Sequence, residues 1–169
     1  NTKLFHQMAQ KAVDTDPENP DAMSSLSMSY SIKKDLNKRL ETAEKALELN
    51  PSHPRSNFSY GQALTNFGRN EEALSYVNKA IELDPQSKRN YEGFFPLLYI
   101  ALKDWENAIT WLNTAHERSP HSRYFGWKAA VYGKMNDLES AKENLNSFLK
   151  ERPEIKTLED YEKVAPTII

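Results

Sequence analysis

Five prolines recur along the chain at a nearly fixed interval. Pro17, Pro51, Pro85, Pro120 and Pro153 are separated by 34, 34, 35 and 33 residues. The first four follow a stretch of similar helical texture: Lys11-Ala12-Val13, Lys45-Ala46-Leu47, Lys79-Ala80-Ile81 and Thr114-Ala115-His116. A unit of this length holds two helices and a turn, and it cannot bury its apolar face without stacked neighbours. No strand-like alternation interrupts the pattern. The period therefore predicts an all-α chain whose core is spread along the stack and which offers a long surface instead of a catalytic pocket.

The stretch 54–85 shows the internal pattern best. Asn57, Tyr60, Gly61 and Leu64 stand at first-helix spacings, and Ala73, Val77, Ala80 and Pro85 at second-helix spacings. The small residues let two helices approach at the short end of the usual range of about 8–10 Å. Tyr60, Leu64 and Val77 are the residues expected to fill the remaining space. The next unit keeps Phe95, Tyr99, Ala108, Leu112, Ala115 and Pro120 but has Pro96 in place of the glycine. Proline inside a helix costs up to ~3 kcal/mol, so a kink or late helix start is expected at residues 93–96.

The fourth unit supplies Phe125, Ala129, Tyr132, Ala141, Leu145, Phe148 and Pro153, with Lys128 at an expected apolar slot. That lysine predicts a partly open edge. The first full unit matches at Met23, Leu26, Ser27, Tyr30, Ala43, Ala46 and Pro51, but Arg39 replaces the small residue that opens the second helix. Its turn, 31–36, is rich in lysine and lacks the glycine or asparagine of the turns around Gly68 and Asn136.

The expected organisation is a single solenoid over 1–169. It comprises an orphan second helix at 1–16, with Ala9, Ala12 and Val13 on one face, and helix pairs at 20–51, 54–85, 88–120 and 122–153. A short C-terminal capping helix is expected at 157–164, because Thr157 and Asp160 are spaced as a capping box. That makes about nine main helices and a short terminal one. The opening at Asn1 lacks methionine, a basic region and an apolar region, so the sequence is read as a piece of a longer protein.

Composition removes several functional classes. The net charge is −2, which opposes a dedicated nucleic-acid binder. No apolar run reaches the roughly 18 residues that suggest a membrane span. Cysteine is absent, so disulfides and thiolate chemistry are excluded. The histidines His6, His53, His116 and His121 do not form a zinc-protease pattern, since Pro120 breaks the segment after His116-Glu117. They are expected at helix ends. The serines at 24, 25, 27 and 29 have no histidine at an expected catalytic spacing and suit a polar inner helix face. No metal, cofactor or enzymatic activity is predicted.

Taken together, the phased prolines and the series Gly61, Ala73, Ala80, Pro85 resemble the tetratricopeptide-repeat family over nearly the whole chain. The resemblance implies a right-handed α-α superhelix of about four helix pairs plus flanking helices, and a concave groove that binds proteins. The residues at 98–117 and 148–161 give a second, weaker similarity, to the repeat regions attached to bacterial class III nucleotide cyclases and winged-helix transcription regulators. It implies a sensory or docking piece and transfers no catalytic or DNA-reading residue.

Projected onto such a superhelix, the first helices present an inner face with Ser24, Met28, Ser31 and Ile32, and then Arg55, Phe58, Gln62, Thr65 and Asn66. Later units add Asn90, Gly93, Leu97, Ile100, Arg123, Gly126, Ala130 and Lys134. The partner-binding set expected from this projection is Arg55, Phe58, Gln62, Asn66, Asn90, Leu97, Arg123, Trp127 and Lys134. Phe58, Phe94 and Trp127 flank the buried stripe, where ligand contact and packing are equal alternatives. The family's carboxylate-clamp set is not reproduced. The expected partner is a protein or peptide segment, with self-association as a homodimer the alternative, and with no direct nucleic-acid or membrane contact. The expected compartment is the cytoplasm, and a chain without cysteine suits the periplasm as well.

Overall fold

The computed structural model describes residues 2–157 and 160. Among these residues it contains ten α-helices and no strand. They are α1 (Thr2–Thr15), α2 (Pro20–Ile32), α3 (Leu36–Leu49), α4 (Pro54–Leu64), α5 (Asn70–Leu83), α6 (Lys88–Glu92), α7 (Phe95–Ala101), α8 (Trp105–Arg118), α9 (Ser122–Lys134) and α10 (Leu138–Glu151). Two compact units are distinguishable, Asn1–Glu92 and Gly93–Ile169. In the first, each of α1 to α4 packs on the helix that follows it, and in the second α7, α8, α9 and α10 do the same.

The turn inside each repeat has one recurring design. Lys34, Gly68, Lys103 and Asn136 all have φ between 58° and 70°. Next to each, a backbone N–H reaches back over six residues: Asp35 to the Tyr30 carbonyl, Arg69 to Leu64, Asp104 to Tyr99 and Asp137 to Tyr132. This is the Schellman ending of a helix, in which a left-handed residue satisfies the last carbonyls. At three of the four turns the next residue is an aspartate that caps the following helix. Asp35 accepts from the Lys38 N–H, Asp104 from Asn107 and Asp137 from Ser140. The absence of glycine from residues 31–36 thus does not change the turn; Lys34 adopts the left-handed conformation that Gly68 occupies without a Cβ penalty.

First helices begin with a related regularity. Asn19, His53 and His121 each accept a hydrogen bond from a first-turn N–H, and Pro20 and Pro54 occupy the first helical position, where the missing N–H is not needed. Asn57, fully buried, donates to the Pro51 and His53 carbonyls and ties the start of α4 to the preceding turn.

Small residues set the distance between the helices of a pair. A Cβ added to Gly61 would stand 3.0 Å from the Ala73 carbonyl oxygen and 3.1 Å from a Val77 methyl. Ala43, Ala46, Ala73, Val77, Ala80, Ala108 and Leu112 are completely buried. In the third repeat the first helix is interrupted as Pro96 predicts: α6 stops at Glu92, and α7 starts at Phe95 with the proline in its first turn. This break turns the expected nine main helices into ten, and the boundary between the two units falls at it. Phe95 is buried and stacks on Trp111, with ring centroids 4.7 Å apart.

At the ends of the chain the pattern is only partly filled. Ala9 and Val13 of α1 pack with Ala22 and Leu26 of α2. Ala12, expected on the same face, is exposed, whereas its equivalents one and two repeats on, Ala46 and Ala80, are fully buried. No helix precedes α1 among the described residues. At the other end Thr157 and Asp160 form the expected capping box, with N–H to side-chain bonds of 3.0 and 3.1 Å in the two directions. The rest of the predicted capping helix, 157–164, lies outside the described residues.

Two of the helical glycines, Gly61 and Gly133, give opposite expectations. Gly61→Ala places a methyl against backbone and lowers the melting temperature, at a cost of roughly 1–3 kcal/mol. A Cβ at Gly133 meets nothing within 4 Å, so Gly133→Ala raises stability by about 0.5–1 kcal/mol. Thermal unfolding of the two variants checks both signs.

Candidate protein-binding surface

In unit 1 the predicted residues Arg55, Phe58, Gln62 and Asn66 recur every three or four positions along α4 and the turn after it, so helical geometry puts them on one stripe. Gln62 and Asn66 are half-buried. Their equivalents one repeat earlier, Met28 and Ile32 on α2, are 42% and 46% exposed. Successive first helices therefore repeat one strip of surface, apolar on α2 and amide-bearing on α4.

Phe58 and Arg55, also in the predicted set, both have neighbours within unit 1. The Phe58 ring lies 4.9 Å from that of Tyr91, which makes it a packing residue. The Arg55 guanidinium stands 3.5 Å from the Asp21 carboxylate and donates to Ser25 at 3.1 Å. Asp21 is the repeat equivalent of Arg55, so neighbouring first helices are joined by an ion pair. Asn90 on α6 is exposed.

Trp127 in unit 2 departs furthest from the expectation of ligand contact. It is 9% exposed and belongs to a core cluster with Ala108, Leu112 and Val131. Leu97 packs against the same cluster. A large apolar ring on the α8 side of α9 is removed from water by Ala108 and Leu112. Arg123 and Lys134 are exposed, and the Arg123 guanidinium lies 5.4 Å from the centre of the Tyr124 ring. Lys128 is half-buried, bonded to Asn113 at 3.3 Å and set over Phe125; burial pulls its ammonium below the ordinary lysine value.

Serines and histidines form a network that the sequence reading missed. Ser24, Ser27, Ser29 and Ser56 are buried, and they line helix contacts instead of a polar inner face. Ser27 donates to the Arg39 carbonyl at 2.8 Å. Ser29 gives its proton to the Leu26 carbonyl, so the His6 ring nitrogen 2.8 Å away donates to Ser29. Nδ1 of His53 accepts from the Ser56 N–H and lies 2.9 Å from its hydroxyl, while Nε2 faces Asp21 at 3.5 Å. Aspartate, histidine and serine thus stand in a row, but the Ser56 hydroxyl is completely buried and has no path to a substrate. The row is a helix cap and a latch between α2 and α4. The 34-residue spacing of Asn19 and His53 was the available signal for it.

Arg39 is the most unusual polar residue in unit 1. It occupies the slot held by the buried Ala73 and Ala108 in later repeats. Its Nη1 donates to the Asn66 side-chain oxygen at 2.6 Å, and its buried Nε has no hydrogen-bond partner. Burial pulls its pKa down to about 10, so the group is still a cation at neutral pH.

Unit 2 also has an apolar cleft of about 540 Å³, lined by Ala129, Ala130, Ala141, Leu145, Phe148 and Ile155 among others. Among the described residues there is no group of three or more histidines or carboxylates able to hold a metal, and no helix is long and apolar enough to cross a membrane.

Two tetratricopeptide-repeat family models match the chain, at residues 20–53 and 40–88. Residues 20–88 are tetratricopeptide repeats, and the described chain has the tetratricopeptide-repeat fold. No curated protein matches the sequence significantly. Similar solved structures include PilW, described as a widely conserved type IV pilus biogenesis factor, with a TM-score of 0.73 and 21% identity over 90% of this chain and 70% of that one. YrrB, described as a tetratricopeptide-repeat protein with an unusual peptide-binding site, matches with a TM-score of 0.65 and 20% identity, covering 90% of this chain and 78% of its own. MamA residues 41 to the end, from Desulfovibrio magneticus RS-1, match with a TM-score of 0.67 and 14% identity over 92% and 97%. These likenesses establish the repeat architecture for both units.

The contrast between Trp127 and Arg55 is measurable. Trp127→Ala removes a buried indole from the second unit of the repeat array and costs about 3–5 kcal/mol. Arg55→Ala breaks an exposed pair and costs about 0–1 kcal/mol. Denaturant titration of both variants tests the assignment of Trp127 to the core.

Proposed function

We propose that the chain is a protein-interaction module that holds an extended or helical segment of another protein along the first helices of its repeats. The carrying observation is the repeated strip in unit 1, where exposed Met28 and Ile32 precede the equivalent Gln62 and Asn66. Apolar anchors beside amide groups suit a peptide: the former supply burial and the latter bond its backbone. The fold shared with YrrB, whose description records peptide binding, supports this reading. Arg123 and Lys134, both exposed, stand at the equivalent positions on α9 of unit 2.

A second reading is self-association as a regulatory piece of a larger signalling protein. It is supported by α1, where Met8 is 59% exposed and Ala12 is exposed on the same face. Sedimentation of the chain at micromolar concentration reports on it directly.

The interaction reading is tested by selecting a random peptide display library on the whole chain and mapping the bound peptides by methyl and amide NMR shifts. The expected footprint covers Met28, Ile32 and Gln62. The double variant Met28→Asp, Ile32→Asp is expected to lose about 2 kcal/mol or more of binding while keeping its helical circular dichroism. A footprint confined to second helices, around Leu49 and Leu83, would contradict the proposal.

A further inference from the structure

We infer that Arg39 and Asn66 form a carboxylate-binding site at the Ile32 end of the first-helix strip in unit 1. The inference rests on the proposed role of that strip and specifies which chemical group of the partner it recognises.

The donors of the two side chains lead to this conclusion. A guanidinium has five N–H donors and no acceptor. One of Arg39's goes to the Asn66 oxygen, the Nε donor is buried without a partner, and no carboxylate lies within ion-pair distance among the described residues. Because a guanidinium only donates, it fixes the Asn66 amide with its oxygen inward and its NH₂ outward. The pair therefore offers hydrogen-bond donors on two side chains and has its one side-chain acceptor already engaged.

The surroundings favour an anion as well. Lys33, Lys34 and Lys38 lie in or just after the turn between α2 and α3, and of this group only Lys38 has a carboxylate neighbour, Asp35 at 3.6 Å. An alanine fills the slot of Arg39 in later repeats without any such demand, so repeat packing does not call for a cation there. The buried Nε is out of a ligand's reach, but an anion meeting the remaining Nη donors would give the guanidinium charge-assisted bonds it lacks, two of them in parallel if the group is a carboxylate. The exposed Ile32 and Met28 along α2 point to a carboxylate attached to apolar groups, as in an acidic side chain or the end of a peptide, in preference to free phosphate.

The test is NMR of the ¹⁵N-labelled whole chain, following the Arg39 Nε–H and Asn66 side-chain amide signals during titration with sodium hexanoate. Hexanamide and inorganic phosphate are the controls. Hexanoate is expected to shift both signals saturably together with the Ile32 methyl, and hexanamide to leave them in place. Arg39→Met should weaken the response about 10- to 100-fold, as expected for hydrogen bonds to a charged group. Asn66→Ala, which leaves the guanidinium present, should weaken the shift of the Arg39 signal and gives an independent reading if Arg39→Met fails to fold. N-acetyl-isoleucine and N-acetyl-glutamic acid α-amide then separate a chain-end carboxylate from a side-chain one. No saturable shift with hexanoate, an equal shift with hexanamide, or stronger binding of phosphate would overturn the site. If hexanoate fails while library peptides still mark Met28 and Gln62, the carboxylate site falls and the interaction surface stands. Failure of both removes both.

Discussion

Helices of one repeat meet at backbone distance, and the rest of the structure depends on that contact. At Gly61 a single methyl group would touch the Ala73 carbonyl and the Val77 side chain. Ala43, Ala46, Ala73, Ala80 and Ala108 are wholly buried for the same reason. Close approach brings the flanking larger residues into contact, and the left-handed turn residues at Lys34, Gly68, Lys103 and Asn136 reverse the chain so that the same contact recurs every 34 residues or so. A unit built this way buries its second helix against its own first helix and leaves the other side of the first helix available.

That geometry explains where polar chemistry is tolerated. At helix contacts in unit 1, small hydroxyls and two histidines replace apolar packing, and Ser24, Ser27, Ser29 and Ser56 each have a carbonyl, a ring nitrogen or another hydroxyl as a partner. Satisfied groups of this kind cost little. Arg39 differs because a long cation occupies a slot shaped for a methyl group, and its bond to a neutral amide does not replace an anion. A half-buried charge without an opposite charge lowers stability, and such local departures from the pattern of a fold tend to mark functional positions. Binding is therefore proposed where the repeat packs least economically.

Much of the fold was legible in the sequence because its determinants are local and periodic. The prolines, Gly61 and the alanines at fixed spacing specify the helix pairs, and Pro96 specifies the interruption near Gly93. The turn at Lys34 was less legible, since a lysine in the left-handed region carries no compositional mark. Ala12 was misplaced because a helical face does not reveal whether a neighbour covers it. The surface was the least legible part. Phe58 and Trp127 sit at the margin of the buried stripe, and only the positions of Tyr91, Ala108 and Leu112 decide that they pack inward. Arg55 was readable as a first-helix residue, but its attachment to Asp21 depends on two side chains 34 residues apart. Arg39 stood out as a departure from the repeat pattern; its lack of a counter-ion required the structure.

Because Arg39 is a cation held in the repeat without an anion among the described residues, the decisive measurement is the stability of Arg39→Met in the absence of any ligand. Methionine keeps an unbranched apolar stem of similar reach and removes the charge. Arg39→Met is expected to melt at a higher temperature than the native chain, with a gain of about 1 kcal/mol or more, as when other unpaired charges are replaced by apolar side chains. A fall of similar or larger size, with the helical content unchanged, would mean that the guanidinium is already well satisfied within the protein and would contradict the account.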